Sequence, residues 1–251
     1  MQASRRDLSI YGDRDPRDIP IYLLDEAAFI LGLAPSTLKA WTFGSRWTEA
    51  SGRKRTYEPL IIPPEKTDHF MLSFTNLIES HVLHAIRRVH KIKMSRVRAA
   101  MTALRHDFES QHPLAEEELY TEGTNILVAK YGTYINMSAG KQSEMAEVIK
   151  IYLKRVERDE SRISRFYPFS GDPIAMGPAI AEQPRIVCVD PFVSFGRPVV
   201  TGTNIRTEIL SERWLGGDSI DTLAFEYRLD KDVVEAALKY ESARRPVDSA
   251  T

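Results

Sequence analysis

A mainly helical α+β fold in successive units is what the sequence predicts, and three observations predict it. Apolar residues recur at three- and four-residue steps through much of residues 20–110. β-branched and aromatic runs flank glycine in NILVAKYGTYINM (125–137) and again in RIVCV and FVSFGRPVVTG, where hairpins are expected. A Pro/Gly-rich stretch, FSGDPIAMGPAIAEQP (169–184), reads as a linker. These signals divide the chain into an arm (1–19), a helical unit with a hairpin (20–110), a middle unit of hairpin, helix and strand (111–171), a linker (172–184), and a β-hairpin with three helices (185–251).

Each element has its own warrant. Residues 1–19 are polar and read as a loose arm closed by Ile19-Pro20. Helices are expected at 23–31 and 36–42, whereas Gly44, Gly52, Pro59, Pro63 and Pro64 forbid continuous helix and indicate a hairpin and loop. Phe74, Leu77, Ile78, Val82, Ala85, Ile86 and Val89 form one helical stripe; Val97, Ala100, Met101, Leu104 and Phe108 form another, with Ser95 as its cap. A helix is predicted from Ser143 to Arg158, with Met145, Val148, Tyr152 and Val156 on one face, and a strand at Ile163–Tyr167. Three further helices are expected near 206–215, 218–226 and 230–241.

Composition narrows the function classes. With 43% hydrophobic and 27% charged residues the chain is of the globular type, and no apolar run approaches the roughly 20 residues that span a bilayer. A cytoplasmic protein that does not engage membranes is expected. Cys188 is the only cysteine, which excludes an internal disulfide and any zinc site needing two thiolates of this chain; it is expected to be a buried small hydrophobe. The net charge of −1 hides an asymmetry: residues 1–110 hold 17 Lys and Arg against 13 Asp and Glu, and residues 111–251 hold 17 against 22. Between Arg46 and Arg105 there are 12 basic and 5 acidic residues, a distribution that suits a nucleic-acid face in the first half.

The stretch LLDEAAFILGLAPSTLKAW (23–41) gives that face a shape. Two short helices crossing closely need a small residue at the crossing and a turn residue tolerant of positive φ; Ala28 and Gly32 supply them. Leu38 and Trp41 fall on the inner side of the second helix, Pro35 at its start, and Ser36, Thr37 and Lys39 on the outer side, where a DNA groove could be read. An αα-corner of an ordinary helical domain can use the same small residue and glycine. The following segment favours DNA, because SRWTEASGRKRTYEP sets Arg46, Arg53, Lys54 and Arg55 in a hairpin that could straddle phosphates.

Over residues 21–108 the chain resembles the MerR-like winged helix-turn-helix family. The residues that carry the resemblance are LLDEAAFILGLAPSTLKAW, Arg55-Thr56-Tyr57 in the wing, and KMSRVRAAMTAL in a later helix. It implies DNA contacts at Thr37, Lys39 and Arg55. The sequence departs from the family's metal sensors, having neither their long dimerising coiled coil nor their cysteines.

The last third contains GRPVVTGTNIR and WLGGDSIDTLAFEYRLDKDVVEAALKYE. Gly196, Pro198 and Gly202 are turn residues, and Thr203 can bond to the main chain nearby. The closing helices repeat the helix-turn-helix logic, with Ala224 at the crossing and Val234 and Ala237 inside. Arg228, however, stands where glycine would be easiest, and Asp232, Glu235 and Glu241 sit beside Lys231 and Lys239. Gly196-Arg197-Pro198, Gly202-Thr203, Ile205, Gly217-Asp218-Ser219 and Val233–Tyr240 resemble a small bacterial domain of unknown function, homeodomain-like in fold, found alone or fused in VapB-type antitoxins. The whole chain resembles the larger antitoxins of that type.

That resemblance implies an antitoxin that neutralises a PIN-domain, VapC-type ribonuclease toxin and represses its own operon, working on double-stranded operator DNA as a homodimer. Arg244 and Arg245, in ESARRPVDSAT, are candidates for insertion into the toxin's acidic site, against the alternative of a frayed terminus. Two other readings stay open: a stand-alone MerR-like regulator whose middle unit binds an effector, without a toxin partner, and an adaptor in which the helix-turn-helix is only a scaffold. No catalytic set, cofactor motif or metal site is expected. Gly140-Lys141 lacks the rest of a phosphate loop, and His81 with His84 reads as a partly exposed helix face rather than a metal pair.

Overall fold

A computed structural model describes residues 9–48, 52, 54–64, 69–90, 94–107, 109–116, 139–159, 162–171 and 182–243. A 3-10 turn at Ser9–Tyr11 is followed by β1 (Tyr22–Leu23), α1 (Leu24–Leu31), α2 (Pro35–Thr42), β2 (Ser45–Thr48), β3 (Lys54–Tyr57), β4 (Met71–Leu72), α3 (Phe74–His90) and α4 (Met94–Asp107). Further on come α5 (Ala139–Leu153), β5 (Val156–Asp159), β6 (Arg162–Phe166), β7 (Val187–Cys188), β8 (Val199–Val200), α6 (Thr207–Leu215), α7 (Ile220–Tyr227) and α8 (Lys231–Ser242). The strands pair antiparallel in twos: β1 with β4, β2 with β3, β5 with β6, and β7 with β8. The fold is mainly helical α+β, as the sequence predicts.

Helix α3 is the spine. Its first half, through Phe74, Leu77 and Ile78, joins the core beneath α1 and α2; its second half, through Val82, Leu83, Ala85 and Ile86, joins a core with α4 and α5. Each of these side chains except that of Ala85 contributes about 1.5–3 kcal/mol on withdrawal from water, before conformational entropy is subtracted. At the start of α3, Ser73 and Asn76 exchange backbone-to-side-chain hydrogen bonds, which satisfy two otherwise orphan amides.

Because α3 is covered on more than one side, polar residues on it are buried too, which corrects the expectation for its histidines. His81 is 2% exposed and His84 6%. The His81 ring packs against Tyr152, Phe166 and Phe169 at centroid distances of 4.7, 4.6 and 5.7 Å, with Nε2 3.0 Å from the Tyr152 carbonyl. These partners come from α5, β6 and the chain after it, which the helical stripe alone cannot reveal.

Glu79, fully buried on the same helix, sits with Oε2 2.8 Å from His112 Nδ1. Burial raises the Glu79 pKa, against the pull of His112 and Arg105. Burial also opposes protonation of His112, but the hydrogen bond and charge of Glu79, with Asp18 and Glu116, leave its pKa raised. Both shifts make the folded protein hold protons more tightly than the unfolded chain. The His112 contribution is therefore complete below 6.5 and lost as pH rises through its folded pKa, and the buried Glu79 works in the same direction above 4.5. The melting temperature is expected to fall as pH rises above about 6.5, and His112→Gln to flatten that fall. Parallel melting curves of the two proteins across this range would refute the pairing.

Several boundaries differ from the prediction. Helix α5 begins at Ala139 and ends at Leu153, and Val156–Arg158, expected to be helical, belong to β5. The chain turns at Lys154–Arg155, where the buried Arg155 donates to the carbonyls of Tyr167 (2.8 Å), Gln183 (2.7 Å) and Pro168 (3.2 Å). Those bonds hold the two ends of the expected linker together, and desolvation lowers the Arg155 pKa to about 10. Ser95 lies inside α4, which starts one residue earlier, so it is not the cap. The arm is not loose from residue 9 onward: Tyr11 donates to the Pro191 carbonyl (3.1 Å), and Asp15 and Asp18 bind Arg162 (2.5 and 2.7 Å). The hairpin expected at 125–137, Phe108 and most of the linker lie outside the described residues.

The C-terminal unit packs α6, α7 and α8 around Leu210, Leu223, Val234, Ala237 and Leu238, with Val200 of the β7–β8 pair closing the core. Cys188 is buried as expected, and its thiol pKa is pushed up to about 12 by burial. Thr203 makes the anticipated local bonds, to the Val200 carbonyl (2.9 Å) and from the Ile205 amide (3.0 Å). This unit is seated on the N-terminal one. Phe29 of α1 meets Tyr240 of α8 edge-on at 5.8 Å, Glu26 pairs with Arg197, and Gly196 passes against Tyr22.

Candidate nucleic-acid interface

The α1–α2 corner is built as its sequence requires. Ala28, 1% exposed, lets the helices approach, and Gly32 caps α1 at φ 63°, its amide turned back to the Ala28 and Phe29 carbonyls. The Leu33 amide also bonds to Ala28 (2.9 Å). Leu38 and Trp41 are the buried side of α2. Its last carbonyls find partners after the hairpin, where the amides of Leu60 (2.7 Å) and Ile61 (3.0 Å) both donate to Trp41. The segment that leaves the wing is thus bonded to the helix beside it.

The wing is the β2–β3 hairpin, in register Ser45↔Tyr57, Arg46↔Thr56, Trp47↔Arg55 and Thr48↔Lys54. In that register Arg46 and Lys54 are diagonal neighbours on one face, and both are exposed. Arg55 occupies a paired position in β3, whereas Arg53 lies outside the described residues. Arg244 and Arg245 also lie outside them.

On α2 the predicted contact residues separate. Ser36 and Thr37, with Ala40 and Trp41, form one wall of an open groove of about 580 Å³. Ser45 and Tyr57 of the wing line it as well, and Arg87, Ser95 and Arg98 complete it from α3 and α4. Lys39 is exposed but stands apart from this groove, its Nζ 4.0 Å from the centroid of the Phe70 ring. A polar helix face, a basic hairpin and two further arginines are therefore presented together.

Arg87 and Arg98 were not singled out by the sequence, although both lie in its basic segment. Arg98 stacks at 5.1 Å on Tyr57 and donates to the Glu58 carbonyl, which fixes α4 to the end of the wing. Burial lowers its pKa, with Tyr57 and Glu58 opposing. The signal that could have found it is the aromatic at the end of the wing together with an arginine on the first turns of the later helix.

A second cleft, of about 410 Å³, lies between the units and is lined by Glu26, Phe29, Arg197, Arg206, Glu208 and Glu241. Its charges are largely used within the protein: Glu26 with Arg197, Arg206 with Glu208, and Glu241 accepting from Thr207 (2.5 Å). Among the described residues no group of three or more His, Cys, Asp or Glu is placed to hold a metal ion. No helix among them is long and apolar enough to cross a membrane.

Fold and site together define a chain with a winged helix-turn-helix at its front and a second helix-turn-helix at its end. Comparison with known proteins agrees for the first of these. Residues 20–101 match the family model described as "Putative DNA-binding HTH domain", and residues 187–240 match "Protein of unknown function (DUF433)". Over 239 residues the chain is 24% identical to a Mycobacterium tuberculosis protein named "Putative antitoxin VapB45", covering 88% of this chain and 93% of that one. Among solved structures it is similar to the crystal structure of Rv2018 from Mycobacterium tuberculosis, with a TM-score of 0.64 and 22% identity over 88% of this chain and 98% of the other. The likeness to VapB-type antitoxins read from the sequence thus has a named relative that spans nearly the whole chain.

Proposed function

We propose that this protein is an antitoxin and autorepressor: it binds double-stranded operator DNA through its winged helix-turn-helix and blocks a PIN-domain, VapC-type ribonuclease by direct binding. One observation carries the DNA half. A helix offering Ser36 and Thr37 shares a groove with Ser45, Tyr57, Arg87 and Arg98, beside a hairpin that exposes Arg46 and Lys54. In this reading α2 reads base edges while Arg46, Arg53, Lys54 and Arg55 meet phosphates, with Lys39 reaching the backbone from beside Phe70. Two copies on a palindromic site would double the contact. The toxin half is supported by similarity to the named antitoxin over 88% of this chain. Arg244 and Arg245 are assigned to the toxin from the chemistry of an acidic metal site alone.

The test is co-expression with the product of the adjacent gene. Co-purification, loss of that protein's ribonuclease activity, and retardation of duplex DNA from upstream of the antitoxin's own coding sequence are expected. Retardation without co-purification would leave only a DNA-binding regulator, and failure of both would overturn the reading.

A further inference from the structure

The chain contains the same backbone corner twice, and the two copies differ most in what their outer faces carry. Helices α1 and α7 each span eight residues and end in a left-handed cap, Gly32 at φ 63° and Arg228 at φ 55°. The cap amides turn back to Ala28 and Phe29 in the first corner and to Ala224 and Phe225 in the second. The next amides, of Leu33 (2.9 Å) and Leu229 (3.0 Å), bond to the same alanine carbonyls. Leu38 and Val234, each 0% exposed, fill the same inner position on the helix that follows. Shape alone would let either corner enter a DNA groove.

Charge separates them. Where α2 carries Ser36 and Lys39, α8 carries Asp232 and Glu235, both exposed, and Lys231 is paired with Asp221. Residues 207–242 hold nine Asp and Glu against four Lys and Arg. That face repels phosphate. The aromatic ring beside each turn also differs: Phe29 is covered by Tyr240, whereas its counterpart Phe225 is 85% exposed. An exposed aromatic on a unit with an acidic excess suits a protein-binding surface, its partner carrying an apolar pocket on a surface of the opposite charge.

We propose that the α7–α8 corner docks the partner protein, Phe225 seating in an apolar pocket on that partner's basic, RNA-binding face. The inference rests on the antitoxin reading above and assigns it a surface. A ribonuclease must carry cationic groups where it holds RNA phosphates, so the acidic corner would occupy ground that the substrate needs.

Full-length protein and the ribonuclease encoded beside it are the reagents, with affinity measured at two salt concentrations. Phe225→Ala is expected to weaken the complex by at least about tenfold. Asp232→Asn with Glu235→Gln should weaken it mainly at low salt and flatten its salt dependence. Both should melt within about 2 °C of the parent and retain DNA binding, because the substituted side chains lie on the surface. Wild-type affinity in Phe225→Ala would overturn the assignment while leaving the antitoxin reading intact. A loss of DNA affinity in its place would show that the corner faces nucleic acid and overturn it likewise. If the parent protein itself does not bind the ribonuclease, the antitoxin reading fails and the docking surface falls with it.

Discussion

Gly44→Ala is expected to destabilise the protein by roughly 3 kcal/mol and to weaken DNA binding by more than about tenfold. Gly44 joins α2 to the wing at φ 75°, a conformation that L side chains rarely adopt, and an added Cβ would stand 2.3 Å from the Tyr57 carbonyl oxygen. That oxygen belongs to the backbone at the base of the hairpin, paired across from Ser45, so it cannot swing aside. Relief must come from opening the hairpin, which would displace Arg46 and Lys54 relative to Ser36 and Thr37 and loosen the Arg98 contact with Tyr57. Thermal melting and a duplex titration measure the two effects together. A variant that loses stability yet keeps full DNA affinity would show that the wing is not part of the interface.

The second large effect is expected at the joint between the units. Gly196 sits at φ 73°, and a Cβ there would fall 2.1 Å from the Tyr22 hydroxyl, 3.0 Å from its Cζ and 3.2 Å from Ile21 Cδ1. Tyr22 is 0% exposed and packed in the core of the N-terminal unit. Gly196→Ala should therefore cost about 3 kcal/mol, roughly 1–2 kcal/mol from the left-handed backbone and the remainder from overpacking. Among the described residues the buried Tyr22 hydroxyl has no hydrogen-bond partner, so Tyr22→Phe alone should be nearly neutral or stabilising. In the Gly196→Ala background it should recover at least about 1 kcal/mol, an interaction read directly from a double-mutant cycle. Strict additivity would mean that the clash is relieved elsewhere.

How much of this could be read in advance differs between elements for physical reasons. The α1–α2 corner was legible because its determinants are local: Ala28, Gly32, Leu38 and Trp41 fall within fourteen consecutive residues and each has one steric task. The α7–α8 corner was legible too, although Arg228 holds the left-handed position that glycine fills more easily; two backbone acceptors stabilise its amide there. The burial of His81, His84 and Glu79 was hidden, because a single apolar stripe on α3 says nothing about neighbours that arrive from α5, β6 and His112. The end of α5 was misjudged for a similar cause. Val156 continues the helical spacing from Tyr152, but Arg155 is bound to carbonyls as distant as Gln183, and the chain turns.

Of the candidate interface, the sequence indicated the helix and the wing but neither their convergence with Arg87 and Arg98 nor the place of Lys39 against Phe70. Both depend on where residues dozens of positions apart meet. The joint made by Phe29 with Tyr240 and Glu26 with Arg197 is of the same kind, and it places the C-terminal unit directly on the first helix of the α1–α2 corner.

The central claim is that the winged corner binds DNA through helix and hairpin together, and the salt dependence of binding tests it most directly. Affinity for duplex DNA from upstream of the coding sequence should fall linearly with salt on logarithmic axes, by about 0.9 per phosphate contacted. Arg46→Ala with Lys54→Ala should reduce that slope by roughly two units while leaving the melting temperature within about 2 °C. A slope equal to that of the parent protein, with affinity unchanged at every salt concentration, would contradict the account.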